Sequence, residues 1–516
     1  MTSELRLSSS PSQPRNAVRS LWLDGAENRP VHEPLQGSVT ADVCIVGGGF
    51  TGLWTALMLK ADDPSLDVAL IEGDICGGGA SGRNGGFVMS WWSKFSTLKK
   101  LCGTEEAIRL ARASADGITQ IGRFCEEFDI DADYQQDGWL WAATSSIQVG
   151  DWETTVEAAE ACGETPFKRL SNEEVGRRAH SPVHIAGVFE PACATVDPGR
   201  LVTGMTRVAV EHGVRIFEHS AVTRIVSGGR PVVHTDSGML QADRIVLAIN
   251  AWSAALPEFK RALVIVASDV IATAPIPDRL TAIGWDDGVA VSDSRRLVNY
   301  YRRTDNGRIV FGKGGGTLGF NGQVNGAFHR ESPRRADVEA HFHRSYPMLW
   351  DVPAVRSWSG PIDYSISGMP SFVRMGDQPN IIAAAGFSGN GVGPSYIAGR
   401  ILASMALDKD DEWAHTGLAA HPKGTLPPEP ARYLGGLVVR AAIARKENIE
   451  DANRVPGRLT KLIAGLDPTS FVDRGVADVI QPTSTATTST LNAGAAPNLA
   501  TLLRGREQPD DVNSPS

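Results

Sequence analysis

The first strong pattern along the chain is ADVCIVGGGFTGLWTALMLKAD, beginning at Ala41. The apolar run Asp42–Val46 has the length of a buried strand, three glycines make a tight turn, and Leu53, Trp54 and Leu57 then recur on the packed side of a helix. DVALIEGD supplies the next strand. Four strand-like segments run from Val214 to Trp252 with turn residues between them, as a meander with a returning strand would. Leu297–Arg302 and Arg308–Phe311 read as a hairpin turned at Thr304–Gly307. After IIAAAG comes another glycine turn and the helix SYIAGRILASMAL. PPEPARYLGGLVVRAAIARKE starts a separate helical piece, with prolines at its N-terminal edge.

Both ends lack such patterning. Residues 1–18 are Ser- and Pro-rich and read as disordered, and 481–516 as a flexible, low-complexity tail ending in a short helix around Leu502. A length of 516 residues implies two to three domains. The longest apolar stretch near the middle, from Ala262, is interrupted by Asp269 and falls short of the roughly 18 residues of a membrane helix. The N-terminus carries acidic and polar residues where a signal peptide has its apolar core, so a cytoplasmic location is expected. A formal charge of -9 without a long basic run argues against a nucleic-acid partner.

All six cysteines lie within the first 193 residues, without a C-x-x-C pair, and read as small buried hydrophobes of a reducing compartment. His341 and His343 have no third ligand nearby and read as a solvated helix face, so no metal is expected. Glycine stands out. The windows 47–86, 312–326 and 386–399 hold 11, 7 and 5 of the 54 glycines, which marks three segments needing backbone conformations or close approaches that side chains forbid.

Gly47-x-Gly49-x-x-Gly52 directly follows a strand and opens a helix at Phe50 and Thr51, and Glu72 ends the next strand. In that context the first glycine permits the turn, the second lets the backbone approach a pyrophosphate, and the third lets the helix pack on the strand. The helix N-terminus attracts negative charge, and Glu72 would accept hydrogen bonds from a ribose diol. Seven further glycines lie between Gly73 and Gly86. The backbone of Gly79, Ala80, Gly85 and Gly86 can form an anion-binding nest, with Ser81, Arg83 and Asn84 as directed donors. FAD suits such a loop better than NAD.

Several stretches together resemble the D-amino-acid-oxidase-like FAD-dependent oxidoreductases, over roughly residues 20–480. They include VGGGFTGLWTALML, IEGDICGGGASGRNGG, VLAINAW, YYRRTDNGRIVFG and GFSGNGVGPSYIAGRILA. The resemblance implies an α/β fold: a Rossmann-like FAD-binding domain (37–115, 195–260 and 355–415) interleaved with an α+β substrate domain on a mixed or antiparallel sheet (116–194 and 261–354). A helical C-terminal segment, 420–480, would follow. It also implies that Val222 contacts the adenine and that Asn250, Ala251 and Trp252 border the cofactor. Gly386, Ser388, Gly389, Asn390, Gly391, Val392 and Gly393 would bring a helix N-terminus to the flavin ring. Glycine-oxidase-like members have a Trp-x-Gly-x-Arg segment whose arginine grips the substrate carboxylate. Here Trp358 and Gly360 keep the spacing, but Ile362 takes the arginine position and cannot form the bidentate pair. The pattern is therefore similar to the γ-glutamylputrescine oxidase branch, whose substrates are primary amines. With no cysteine at the position used for covalent attachment, FAD is expected to bind non-covalently.

The implied reaction is hydride transfer from the carbon next to the amine nitrogen to the flavin, giving an imine that water hydrolyses. The site must bind the amine neutral, in a dry aromatic pocket beside a cation. Trp91 and Trp92 are candidates for the aromatic wall, with Lys94, Tyr300, Tyr301, Arg302 or Lys313 lining it, and Lys94 or Lys313 assisting oxygen. Each has a structural alternative: a Trp pair is more often core, and a hairpin arginine more often an ion pair. Oxygen or another acceptor would reoxidise the flavin. The other activities in view are oxidation of N-methyl or secondary amino acids anchored by Arg302, and of aminophosphonates, which the SWWSKF run and Lys94, Arg302 and Lys313 would suit. A flavin-binding scaffold without turnover, docking through its C-terminal helices, is the alternative of another class.

Overall fold

A computed structural model describes residues 4–7, 19–24, 29–376, 378–467 and 499–504. Two large sheets share the work. The first has nine strands and contains the parallel core Val68–Ile71, Gly37–Val46 and Gly238–Leu247, joined in parallel by Gln378–Ala385. Val43–Val46 and Val68–Ile71 are near-continuous apolar runs because helices cover the sheet and leave no polar face. The first strand begins at Gly37, earlier than the expected Asp42, since Gly37–Thr40 also pair with Gly238–Gln241.

The helix Phe50–Asp62 is buried on every side, beyond the single packed face expected from Leu53, Trp54 and Leu57. Trp54 meets Phe124 edge-on at 4.8 Å and Tyr396 at 5.0 Å. The crossing helix Pro394–Ala406 comes so close that a Cβ at Gly399 would lie 2.5 Å from that of Trp54. Glu4–Arg6, inside the stretch expected to be disordered, adds an antiparallel edge strand on Arg224–Val226. Leu499–Arg504 forms the short helix expected near Leu502 and buries Leu499 and Leu503 beside Phe50–Asp62. The rest of the expected tail lies outside the described residues.

The second sheet has eight strands, all antiparallel except that Ala290–Asp293 runs parallel to Trp139–Ala143. Its hairpin, Asn299–Arg303 with Ile309–Lys313, begins and ends one to two residues later in each strand than expected. Two boundaries shift. The break expected between 115 and 116 falls inside the helix Thr104–Glu127, which packs in the core of the first sheet. The strand Ala354–Ser365 belongs to the second sheet, pairing with Leu263–Thr273. His341 is buried and within 3.4 Å of the Asn299 amide nitrogen instead of facing solvent.

The C-terminal helices are not a separate piece. Ala431–Asp451 lies on the second sheet, where Ile443 and Ala464 pack with Leu297. It also covers the middle glycine cluster: the Phe320 and Tyr433 rings meet edge-on at 5.3 Å, and Arg440 donates to the Gly316 carbonyl. That cluster is held on its other side by Gly316 N–H to Ala267 and Gly319 N–H to Ile265, each 2.8 Å.

Candidate active site

One cavity of about 1320 Å³ runs between the two sheets, larger than the roughly 300–1,000 Å³ of an ordinary small-molecule pocket. At one end lies the first glycine turn. Gly47 has φ +112°, and a Cβ there would meet the Ala248 carbonyl oxygen at 2.4 Å. A Cβ on Gly52 would lie 2.0 Å from the Gly47 carbonyl oxygen, so Gly52 seats the helix on the turn without facing the cavity. No side chain caps the helix at Gly49, while Phe50 N–H donates to Ser81 Oγ at 2.9 Å. Thr51 lines the same end. Glu72 accepts from Gly48 N–H at 2.8 Å and Asp74 N–H at 2.9 Å, and burial pushes it up to about 7. Val222 borders this end.

The second glycine loop forms the cavity's middle. Gly79, Ala80, Ser81, Arg83, Asn84 and Gly85 all line it. Arg83 and Asn84 brace the loop: the Arg83 guanidinium donates to the carbonyls of Gly78, Phe328 and Ser359, and the Asn84 amide to those of Ala80 and Ser81. Gly86, with φ +79°, packs against Val196 and Arg302 and lies outside the lining. Trp358 fixes the loop from the other sheet, its Nε1 donating to the Arg83 carbonyl at 2.9 Å. Asn250 and Trp252 line the cavity, whereas Ala251 is in the core.

The far end is built from Ile362, Asp363 and the third glycine cluster. Ser388, Gly389, Asn390, Gly391 and Val392 line it. Gly386 and Gly393 stand behind, where a Cβ would come within 2.9 Å of Ser365 Cβ and 2.4 Å of the Met89 carbonyl. Asp363 accepts Gly386 N–H at 2.6 Å, and burial raises its pKa to about 6.

The catalytic candidates separate by strand alternation. Tyr300 faces the cavity, over Gly85 and Gly312, and bonds Ser268 Oγ at 2.8 Å; burial raises its phenol to about 12. Tyr301 and Lys313 face the opposite way. Tyr301 stacks on Phe311 at 4.9 Å, and Lys313 sits by Asn299 Oδ1 and the Leu297 carbonyl. Arg302 is fully buried and donates to Gly85 and Val196 carbonyls, outside the lining. Trp91 and Trp92 belong to the core of the first sheet. The aromatic wall is instead Trp139 and Trp141, stacked at 5.4 Å. Their spacing in DGWLWAA places both on one strand face, a signal the sequence does carry. Lys94 does line the cavity, about 3.8 Å from the position of a Cβ on Gly368.

The residues fit a dinucleotide. Two glycine turns leave room for backbone approach at both ends, and the buried oxygens Asn250 Oδ1 and Asp363 Oδ1 on the lining have no protein partner. Fold and site together define a flavoprotein of the FAD-binding oxidoreductase class. Residues 42–405 match the DAO family, described as FAD dependent oxidoreductase, and the chain belongs to that family. The chain is 30% identical over 389 residues to gamma-glutamylputrescine oxidoreductase of Escherichia coli K12, covering 75% of this chain and 88% of that one. It is 31% identical over 398 residues to the probable oxidoreductase OrdL of Rhizobium meliloti, covering 74% and 87%. Among solved structures it is similar to glycine oxidase from Geobacillus kaustophilus, with a TM-score of 0.60 at 20% identity over 75% of this chain and 99% of that one. FAD is therefore the cofactor. Among the described residues, no helix is long and apolar enough to cross a membrane.

Proposed function

We propose that the protein oxidises a primary amine at the carbon bonded to nitrogen, yielding an imine that water hydrolyses to a carbonyl compound and ammonia. The observation that carries this reading is Ile362. It lines the far end of the cavity, and a Cβ on Gly389 would touch its Cδ1 at 3.4 Å, so an aliphatic surface stands where a carboxylate-binding arginine would. The relative named gamma-glutamylputrescine oxidoreductase supports the same chemistry. Arg302, the alternative carboxylate anchor, is spent on backbone carbonyls, which weighs against an amino acid held through it.

FAD, held by the two terminal glycine turns and Glu72, supplies a two-electron acceptor. The chain's own residues prepare the substrate. Trp139 and Trp141 provide a wall that strips water from the amine, which disfavours its charged form. Lys94 adds a positive charge and favours the neutral amine further. Tyr300 keeps its proton across the physiological range and offers a hydroxyl at a fixed place, held by Ser268. No cysteine lines the cavity among the described residues, which supports non-covalent FAD. The six free thiols support a cytoplasmic location.

The test is anaerobic mixing of the FAD-loaded protein with primary amines, amino acids and N-methyl amino acids. Primary amines are expected to bleach the visible flavin band. Bleaching by α-amino acids alone would overturn the reading, and bleaching by none would leave a flavin-binding scaffold.

A further inference from the structure

The family match begins at residue 42, yet the second glycine loop is held from behind by side chains that precede it. Arg19 pairs with Asp74 through two bonds, at 2.5 and 3.1 Å. Arg29 donates to the Cys76 carbonyl at 2.9 Å and is itself fixed by an ion pair with the buried Glu218. Ser20 Oγ donates to the Gly82 carbonyl, and Trp22 Nε1 to the Asn84 carbonyl at 2.7 Å.

Trp22 is anchored on several sides. Its ring is buried, meets Trp358 edge-on at 6.1 Å, and has the Arg302 guanidinium 5.2 Å above it. Its carbonyl oxygen lies so close to the helix Pro198–Glu211 that a Cβ on Gly199 would sit 2.0 Å away. The indole N–H is thereby fixed in direction.

The consequence lies on the other side of the loop. In a trans peptide unit the carbonyl and the following N–H point in opposite directions. Holding the Cys76, Gly82 and Asn84 carbonyls from behind therefore turns the N–H groups of Gly77, Arg83 and Gly85 the other way. Two of the three are satisfied within the protein. Gly77 N–H donates to the Gly48 carbonyl at 2.9 Å, tying the second glycine loop to the first turn, and Arg83 N–H donates to the Ala80 carbonyl at 3.2 Å. Gly85 differs: it lines the cavity, and the described residues offer its N–H no acceptor. A backbone donor left unpaired on the lining, in a loop whose orientation is imposed from outside, suits an acceptor on the bound cofactor.

We propose that Trp22 is a cofactor-positioning residue: by holding the Asn84 carbonyl it aims the Gly85 N–H at FAD. Residues 19–23, which precede the family-matched body, thus set how tightly the cofactor is kept. The assignment is independent of which substrate the enzyme oxidises.

Trp22→Phe keeps a ring against Trp358 and removes the donor. Titration of the apoprotein with FAD is expected to give a Kd raised about fivefold, the loss of one orienting hydrogen bond. Asp24→Asn, which breaks only an exposed pair with Arg356, should leave Kd within about twofold of wild type. Residue-resolved hydrogen exchange supplies a readout that looser packing alone would not move. In the wild type the Gly85 amide should exchange about tenfold more slowly with FAD than without, and in FAD-saturated Trp22→Phe that protection should fall while the Gly77 amide keeps its own. A Trp22→Phe Kd within about twofold of wild type, whatever happens to the urea midpoint, would make the indole a packing residue and overturn the proposal. Equal exchange of the wild-type Gly85 amide with and without FAD would overturn it as well, and that measurement decides if Trp22→Phe does not fold.

Discussion

Replacing Arg302 by leucine removes a residue that joins the two halves of the molecule. Its guanidinium donates to the carbonyls of Gly85 at 3.1 Å and Val196 at 2.6 Å, and approaches Asp133 at 3.4 Å. The arginine side chain is 0% exposed and the aspartate 5%. Leucine removes that partner from the buried Asp133 carboxylate, which keeps donors from the Gln135 amide and the Asp305 N–H, so the loss is about 1–3 kcal/mol. The carbonyls of Gly85 and Val196 lose donors as well, though such terms do not add. Gly85 lines the FAD cavity, so the variant should also hold FAD more weakly. Urea unfolding of the apoprotein and of the FAD-loaded protein measures the first effect, and titration of the apoprotein with FAD the second. The expected outcome is a marked drop in the unfolding midpoint, with KM for amines unchanged in whatever fraction remains folded. A variant that unfolded with the wild type but showed KM raised about tenfold or more would make Arg302 a substrate anchor and refute the structural assignment.

Gly52→Val should abolish FAD binding, read from the visible flavin absorption after reconstitution, because even a Cβ would lie 2.0 Å from the Gly47 carbonyl oxygen. Glu72 is raised from 4.5 to about 7, so its contribution to apoprotein stability is complete below about pH 4.5 and is lost as pH rises through about 7. Glu72→Gln should flatten that slope, by up to about 3 kcal/mol at alkaline pH, in urea midpoints compared at about pH 5 and pH 8; parallel profiles would contradict it. Trp141→Ala should raise KM for amines while FAD affinity stays within about twofold, since Trp141 stacks on Trp139 on the lining and belongs to neither terminal glycine turn. Lys94→Met should slow reoxidation of the reduced enzyme by oxygen in stopped-flow while flavin stays bound, whereas equal reoxidation rates would remove Lys94 from that step.

The cofactor end was legible in the sequence because its parts are contiguous: strand, glycine turn, helix and Glu72 follow one another within a few dozen residues. Ile362 was legible by its offset from Trp358 and Gly360, which share one strand with it. The substrate end was not. Trp91 and Trp92 attract notice as a pair, but the local 3-10 turn at Trp92–Lys94 sends both into the core and leaves Lys94 at the cavity. Alternation in the hairpin separates Tyr300 and Arg302 from Tyr301 and Lys313, yet which pair faces the cofactor depends on how the sheets pack, and that is not local. Even on the correct face, Arg302 is captured by Val196 and Gly85 from distant segments before it can reach the cavity. The C-terminal helix read as separate because its attachments, at Arg295, Leu297 and Gly316, lie more than a hundred residues upstream.

The late strand Gln378–Ala385 lies against Gly238–Leu247, and the helix after it crosses the helix of the first glycine turn. On the ribosome the first glycine turn and Glu72 emerge first, but the far end of the same cleft is finished only when residues near 406 have left the exit tunnel. Until then Ile245–Leu247 present an open backbone edge in the middle of the future sheet, a template for mispairing between nascent chains. A cleft closed at both ends is therefore on offer to FAD only after residues near 406 have emerged. Cofactor supply should govern the yield of folded protein after synthesis and have little influence on the early stages of elongation.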